Sequence, residues 1–250
     1  MPFFNADSPP LRHFCLNVCR AESLDDVYNV NGSFKWKNGT VLPDACMPDF
    51  WAMFHLSSPN AQAVRNRYRI VKEQYKASGG GKTLSIACGS AQPLLHGLHD
   101  LLNAGKGQNS AIILTDSSMD SLHLAKKRAQ QAGLSDRVSF VQANLCELTK
   151  KLNNEKFDVI EACGILDYLN KDAALKLMRN AFSSLNTNGS VILSNMMKTG
   201  SADLLSRICN WNIVYRSPEE FENLILEAGG KNVRIYSEPW KIHAVAVVKT

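Results

Sequence analysis

The sequence predicts an α/β fold: a seven-stranded, mostly parallel sheet with an antiparallel edge strand, preceded by an N-terminal lid segment. Three observations carry this. From residue 82 onward, short and continuously apolar runs alternate with stretches of helical period. The last two apolar runs have no helix between them. The first 56 residues follow neither pattern. Continuously apolar strands separated by helices belong to parallel sheets buried on both faces. Two strands without an intervening helix pair antiparallel. The expected division is 1–56, a lid and substrate-recognition segment, and 57–250, a catalytic domain.

The elements follow in order. In the first segment, Asn38-Gly39 behind Phe34-Lys35-Trp36 suits a hairpin turn. Ser57-Ser58-Pro59-Asn60 is a helix start, and Val64, Tyr68 and Val71 keep helical spacing up to Tyr75, before Gly79-Gly80-Gly81 breaks the run. Thr83 to Ala87 is the first strand and Leu94 to Leu102 a helix closed by glycines. Ala111 to Leu114 is the second strand, Met119 to Ala132 a helix stopped at Gly133, and Val138 to Gln142 the third strand. Phe157 to Glu161 is the fourth strand, and Asp172 to Leu185 a helix followed by the turn Asn188-Gly189. Ser190 to Leu193 is the fifth strand and Pro218 to Ala228 the last helix. Val233 to Tyr236 and Ala244 to Val248 complete the sheet.

Composition sets the outer limits. The chain has 250 residues, of which 45% are hydrophobic and 20% charged, as in ordinary globular proteins. Its net charge of +5 is spread out, with nine Lys/Arg against seven Asp/Glu up to residue 80 and nineteen against sixteen beyond it. A nucleic-acid binder clusters its basic residues, so no nucleic-acid partner is expected. The seven cysteines are irregularly spaced and read as free thiols of a cytoplasmic protein. Cys15 and Cys19 lie near His13, but no second ligand pair follows, so no metal site is expected. No signal-peptide pattern and no membrane-length apolar run is seen, so no membrane insertion is expected.

Chemistry concentrates at the ends of strands. In an open parallel sheet, ligands bind beyond the carboxyl ends of the strands, where strand order reverses. The first strand runs into Ala87-Cys88-Gly89-Ser90-Ala91, small residues that admit a ligand close to the backbone. The second ends at Thr115-Asp116, where an acid can accept from both hydroxyls of a ribose. The third ends at Ala143-Asn144-Leu145, where an amide can meet an adenine edge. The fourth ends at Ala162-Cys163-Gly164. No G-x-G-x-x-G follows the first strand, which speaks against a dinucleotide dehydrogenase.

This combination resembles the class I S-adenosylmethionine-dependent methyltransferases over roughly residues 60 to 250, with a Rossmann-like sheet. The resemblance implies that Ala87, Cys88, Gly89 and Ala91 line the methionine part of the cofactor and that Asp116 holds its ribose. It implies that Ser117 and Met119 flank the adenine, with Asn144 and Leu145 at its edge and Cys163 and Gly164 closing the site. Arg65, in the run Arg65, Arg67 and Arg69, is expected to reach the cofactor carboxylate. Ser85 and Ala91 depart from the family, which has an acid and a glycine there.

A narrower resemblance rests on Gly164-Ile165-Leu166-Asp167-Tyr168-Leu169, Leu193-Ser194-Asn195-Met196, Asn210-Trp211-Asn212-Ile213-Val214-Tyr215-Arg216 and Glu238-Pro239 before the last strand. These are similar to bacterial methyltransferases that form methyl esters of 3-hydroxy fatty acids. Asp167, Tyr168 and His243 are the expected catalytic residues. Asn195, Trp211, Tyr215 and Arg216, with Tyr28 and Trp51 from the lid, are the expected acceptor wall. Arg216 suits a carboxylate or the anchoring of a loop. The expected activity is methyl transfer to a small molecule, a carboxylate favoured because no strongly marked base is present. A natural-product hydroxyl or amine, or a module that only binds the cofactor, are the alternatives.

Overall fold

The computed structural model describes residues 58–152, 155–199 and 213–249. The lid segment, with Tyr28 and Trp51, and also Trp211 lie outside them. Helix α1 (Pro59–Ser78) begins where the sequence places it: the Ser58 side chain accepts from Ala61 N, Pro59 fills the first turn, and Gly79 closes the helix at φ 82°. Then follow β1 (Lys82–Ile86), α2 (Gln92–Asn103), β2 (Ala111–Asp116), α3 (Met119–Gln131) and β3 (Val138–Gln142). After them come a short α4 (Leu148–Lys151), β4 (Phe157–Ala162), a 3₁₀ turn at Leu166–Tyr168, α5 (Lys171–Ser183) and β5 (Leu185–Met196). The described part ends with α6 (Pro218–Glu227), β6 (Val233–Ser237) and β7 (His243–Lys249).

The seven strands form one sheet in the order β3-β2-β1-β4-β5-β7-β6. All neighbours from β3 to β5 are parallel, and β7 is antiparallel to both β5 and β6. Two apolar layers hold it. On one face, Val71 and Tyr75 of α1, Leu94, Leu95 and Leu98 of α2 and Ala125 of α3 pack on Ile112, Val159, Ile192 and Val245. On the other, Leu175 and Met178 of α5 and Phe221 and Ile225 of α6 pack on Leu84, Ile160, Val191 and Ala246. The order reverses between β1 and β4, which opens the ligand crevice above those two strands.

Two details differ from the sequence reading. Strand β5 begins at Leu185, so Asn188-Gly189 is an irregularity within a strand and not a turn before one. The register against β4 jumps from Phe157↔Leu185 to Val159↔Ser190, and Asn188 takes φ 64° to absorb the extra residues. Strand β1 stops at Ile86 because Ala87 turns to φ 56°.

Candidate functional site

The loop after β1 is bent into the left-handed region at three of five positions, Ala87, Gly89 and Ala91, at φ 56°, 50° and 54°. For alanine this conformation costs about 1 kcal/mol or more, so surrounding bonds must impose it. Cys88 N donates to Thr115 O at 2.9 Å and Ala91 N to Cys88 O at 2.8 Å. The Asp116 carboxylate fastens two loops at once, Oδ2 accepting from Gly89 N at 3.0 Å and Oδ1 from Ser118 N at 2.9 Å. Each oxygen retains a further lone pair. Among the described residues, a Cβ on Gly89 would meet nothing within 4 Å, so none of them fills the space before the loop. Within the loop, Ser90 Oγ is buried and has no partner among the described residues. Asp116 is half-buried, while Ser117 and Met119 are exposed beside it.

Asn144 is exposed, and its Oδ1 accepts from Cys146 N and Glu147 N, both at 3.0 Å, so it starts the turn into α4. Its Nδ2 has no hydrogen bond among the described residues. Leu145 is half-buried on the lower core.

At the tip of β4 the missing acid of β1 has a counterpart. Ser85 is the register partner of Glu161, and Ser85 Oγ donates to Glu161 Oε2 at 2.5 Å. Glu161 Oε1 accepts from Cys163 N at 2.8 Å. Burial pushes the Glu161 carboxyl up, against the downward pull of these hydrogen bonds and of the Arg67 charge. Burial, reinforced by the Glu161 charge, also raises the Cys163 thiol well above its usual value, and burial with the Asp116 and Glu161 charges does the same to Cys88. Both cysteines are therefore un-ionised, apolar wall residues. Gly164 N donates to Ser194 Oγ at 3.0 Å, linking the β4 and β5 tips.

Asp167, Asn195 and Arg216 come together, although they are far apart in the chain. Arg216 Nη1 donates to Asn195 Oδ1 at 2.5 Å and to Leu166 O at 2.9 Å, and its Nη2 to Leu169 O at 2.6 Å. Asn195 Nδ2 donates to Met196 O at 2.9 Å and Val214 O at 3.1 Å. Asp167 Oδ1 accepts from Met196 N at 2.6 Å, while Asp167 O accepts from Val214 N at 2.7 Å. These bonds strap the 3₁₀ turn and the segment before α6 onto the end of β5. They give Arg216 the loop-anchoring role of the two its sequence position leaves open. Burial is the main cause that lifts Asp167 to about 6, opposed by Arg67, the Met196 N–H and Arg216. Tyr168 and Tyr215 are half-buried next to this strap.

His243, the first residue of β7, faces Met196 across the antiparallel pair. It is 1% exposed, and neither ring nitrogen has a hydrogen-bond partner among the described residues. Burial first, and the charge of Arg67 second, hold it well below its usual value, so its ring is neutral. Glu238 shapes the approach, accepting from Ile242 N at 2.6 Å, His243 N at 3.3 Å and Trp240 N at 2.8 Å. Arg67, rather than Arg65, is the arginine whose charge acts on Glu161, Cys163, Asp167 and His243. Helical spacing alone does not decide between residues two apart in Arg65, Arg67 and Arg69, because that depends on how α1 rolls over the sheet. The motif Glu238-Pro239 does not by itself tell that the carboxylate closes the turn before β7.

The profile of a family described as a methyltransferase domain matches residues 77–238. No curated protein matches the chain. Among solved structures, a Bordetella parapertussis protein described as a possible exported protein superposes with a TM-score of 0.70 at 15% identity, over 87% of this chain and 76% of its own. A candidate O-methyltransferase of Nostoc punctiforme PCC 73102 gives 0.62 at 16% identity, over 95% and 70%. The magnesium protoporphyrin IX methyltransferase of Synechocystis PCC 6803, with bound SAH, gives 0.58 at 14% identity, over 76% and 86%. Among the described residues, no helix is long and apolar enough to cross a membrane.

Proposed function

The chain belongs to the methyltransferase-domain family, and on that premise we propose that it uses S-adenosylmethionine to methylate an oxygen of a small molecule, with a carboxylate as the favoured acceptor. The observation that carries the cofactor reading is the Asp116 clamp in front of an open loop. Two backbone loops are locked by one carboxylate, which keeps lone pairs for a diol, while Gly89 leaves free space for the attached chain. The unpartnered Ser90 Oγ is a further polar atom at that cradle. Neighbours of the same fold are methyltransferases, one of them holding SAH.

When bound, S-adenosylmethionine supplies an electrophilic methyl group on a sulfonium centre. Asp116 holds the ribose hydroxyls, and Ser117, Met119 and Leu145 border the adenine, with Asn144 Nδ2 free to donate to the ring. The loop from Ala87 to Ala91, with the neutral thiols of Cys88 and Cys163 and with Gly164, walls the methionine half without offering a competing nucleophile. The acceptor enters above β4 and β5, bordered by Tyr168 and Tyr215, and the lid residues Tyr28 and Trp51, with Trp211 of the connection after β5, are its further contacts in this reading. A carboxylate acceptor needs no proton removed, so catalysis there consists of alignment and exclusion of water. A hydroxyl acceptor needs a base, and Asp167, with a pKa of about 6, is suited to it. Cytoplasmic residence belongs to the same reading.

Calorimetric titration with S-adenosylhomocysteine tests the premise, with one site per chain expected and no heat of binding as the contrary result. Incubation with S-adenosylmethionine and matched acids, phenols and amines then reads the acceptor. Ester formation supports the carboxylate, and turnover of phenols or amines alone replaces it.

A further inference from the structure

Helix α4, the helix between β3 and β4, has only four residues. Between it and α5 the described residues leave a cavity of about 390 Å³. Small-molecule pockets span roughly 300–1,000 Å³. Ile86 and Ile160 form the floor, and Leu148 and Leu152, one helical turn apart, form one wall. The other wall is a stripe of α5, where Ala173 and Leu177 repeat at helical spacing and the short Ala173 side chain leaves room. The cavity lies on the sheet face that carries α5 and α6, opposite α1, α2 and α3. It is therefore separate from the crevice beyond the strand ends, and Leu145 stands at its border.

Water is a poor occupant of such a space, because aliphatic walls offer it no hydrogen-bond partners. The charges at the cavity are unequal. Glu155, Lys156 and Lys176 line it. The Glu155 carboxylate is answered by Lys82, Oε2 to Nζ at 2.7 Å. Lys156 Nζ donates to Ser183 O at 2.5 Å and keeps two further protons to donate. Lys176, exposed on the α5 stripe, forms no hydrogen bond or ion pair among the described residues. Asp172, one turn before it, is outside the lining. An apolar cavity with two ammonium groups at its rim is complementary to an apolar body that ends in one anionic group.

We propose that the cavity between α4 and α5 binds a free small amphipathic anion, at a site separate from the cofactor crevice. The apolar body lies on Ile86, Ile160 and Leu177, and the acidic group meets Lys176 and Lys156. Binding supplies the dispersion contacts that the walls lack on their open side. The site goes beyond the proposed function and does not rest on it.

Two fluorescent probes test it on the full chain: 1-anilinonaphthalene-8-sulfonate, and N-phenyl-1-naphthylamine, which is the same ring system without the sulfonate. The sulfonate should saturate one site per chain and bind roughly fivefold more tightly than the neutral probe. It should also slow alkylation by iodoacetamide of Cys146, an exposed thiol that lines the cavity, as read by peptide mass. Lys176→Glu should abolish the preference while leaving the neutral probe within about twofold of wild type. Ala173→Phe fills the cavity and should weaken both probes by about tenfold or more. Saturating S-adenosylhomocysteine should displace neither. Absence of saturable binding, as when another part of this chain or a second copy occupies the cavity, overturns the site. So does equal affinity for the two probes, affinity unchanged in both variants, displacement by S-adenosylhomocysteine, or an unaltered Cys146 rate. Lys176→Glu changes an exposed residue and keeps the test decisive should Ala173→Phe not fold. If S-adenosylhomocysteine itself fails to bind, the proposed function is overturned, and the two probes still decide this site.

Discussion

At the tips of β1 and β2, one side chain serves two backbone groups, and the described residues leave the space in front of Gly89 open. At the tips of β4 and β5, several polar side chains are instead tied to backbone groups of other elements. Asp116 fastens two loops from below, and the loop it holds faces a void at Gly89. Asp167, Asn195 and Arg216, polar and suited in type to a substrate, spend their described hydrogen bonds on one another and on backbone. On the proposed function, the contrast sets Asp116, assigned to the cofactor, against Asn195 and Arg216, whose described bonds hold the frame. Residue type and position at a strand tip are common to both, and only the bonds tell them apart.

The frame is the place where mutation costs the most stability. Arg216→Ala should destabilise by roughly 3 kcal/mol, since it strips three buried acceptors of charged donors. Urea unfolding measures this, and a loss under 1 kcal/mol would mean the strap contributes little. The binding side answers differently. Asp116→Ala should weaken S-adenosylhomocysteine by roughly a hundredfold, the equivalent of two charged hydrogen bonds. Unchanged affinity in a titration would move the ribose elsewhere.

A subtler distinction is electrostatic. Burial lifts Asp167 above its unfolded value to about 6, so the native state binds this proton more tightly than the unfolded chain. Its contribution to stability is therefore full below about pH 4 and is lost as pH rises through about 6. Asp167→Asn keeps an acceptor for Met196 N and should gain stability over wild type as pH rises from 4 to 7. Denaturation midpoints across that range check it, and a constant difference would contradict it. The smallest effect belongs to the loop. Ala91→Gly relieves φ 54° but frees the unfolded chain, so the melting temperature should move by no more than about 3 °C, upward if strain prevails.

The sheet was legible because burial on both faces writes continuous apolar strands and leaves glycine-closed helices between them. The start of α1 was legible because Ser58 and Pro59 are local signals. The bulge in β5 was not, because Asn188-Gly189 fits a turn as well as a strand irregularity, and the register against β4 decides which. The placement of Asp116 at the end of β2 was visible from the apolar run before it. The positions of the Arg67 charge and of the Glu238 carboxylate were not, since one depends on the roll of a helix and the other on a turn between β6 and β7. Arg216 carried two readings that a sequence cannot separate, because its partners Leu166, Leu169 and Asn195 are brought to it by other elements.

The division between a binding half and a framing half is tested most directly by measuring S-adenosylhomocysteine affinity and melting temperature together for Gly89→Asn and Arg216→Ala. Asparagine tolerates the left-handed region and its side chain enters the open space at Gly89. The account predicts that Gly89→Asn melts within about 3 °C of wild type but binds at least tenfold more weakly. It predicts that Arg216→Ala melts roughly 6–12 °C lower yet, at temperatures where it is folded, binds within threefold of wild type. Full affinity in Gly89→Asn, or a loss of affinity without a loss of stability in Arg216→Ala, would contradict it.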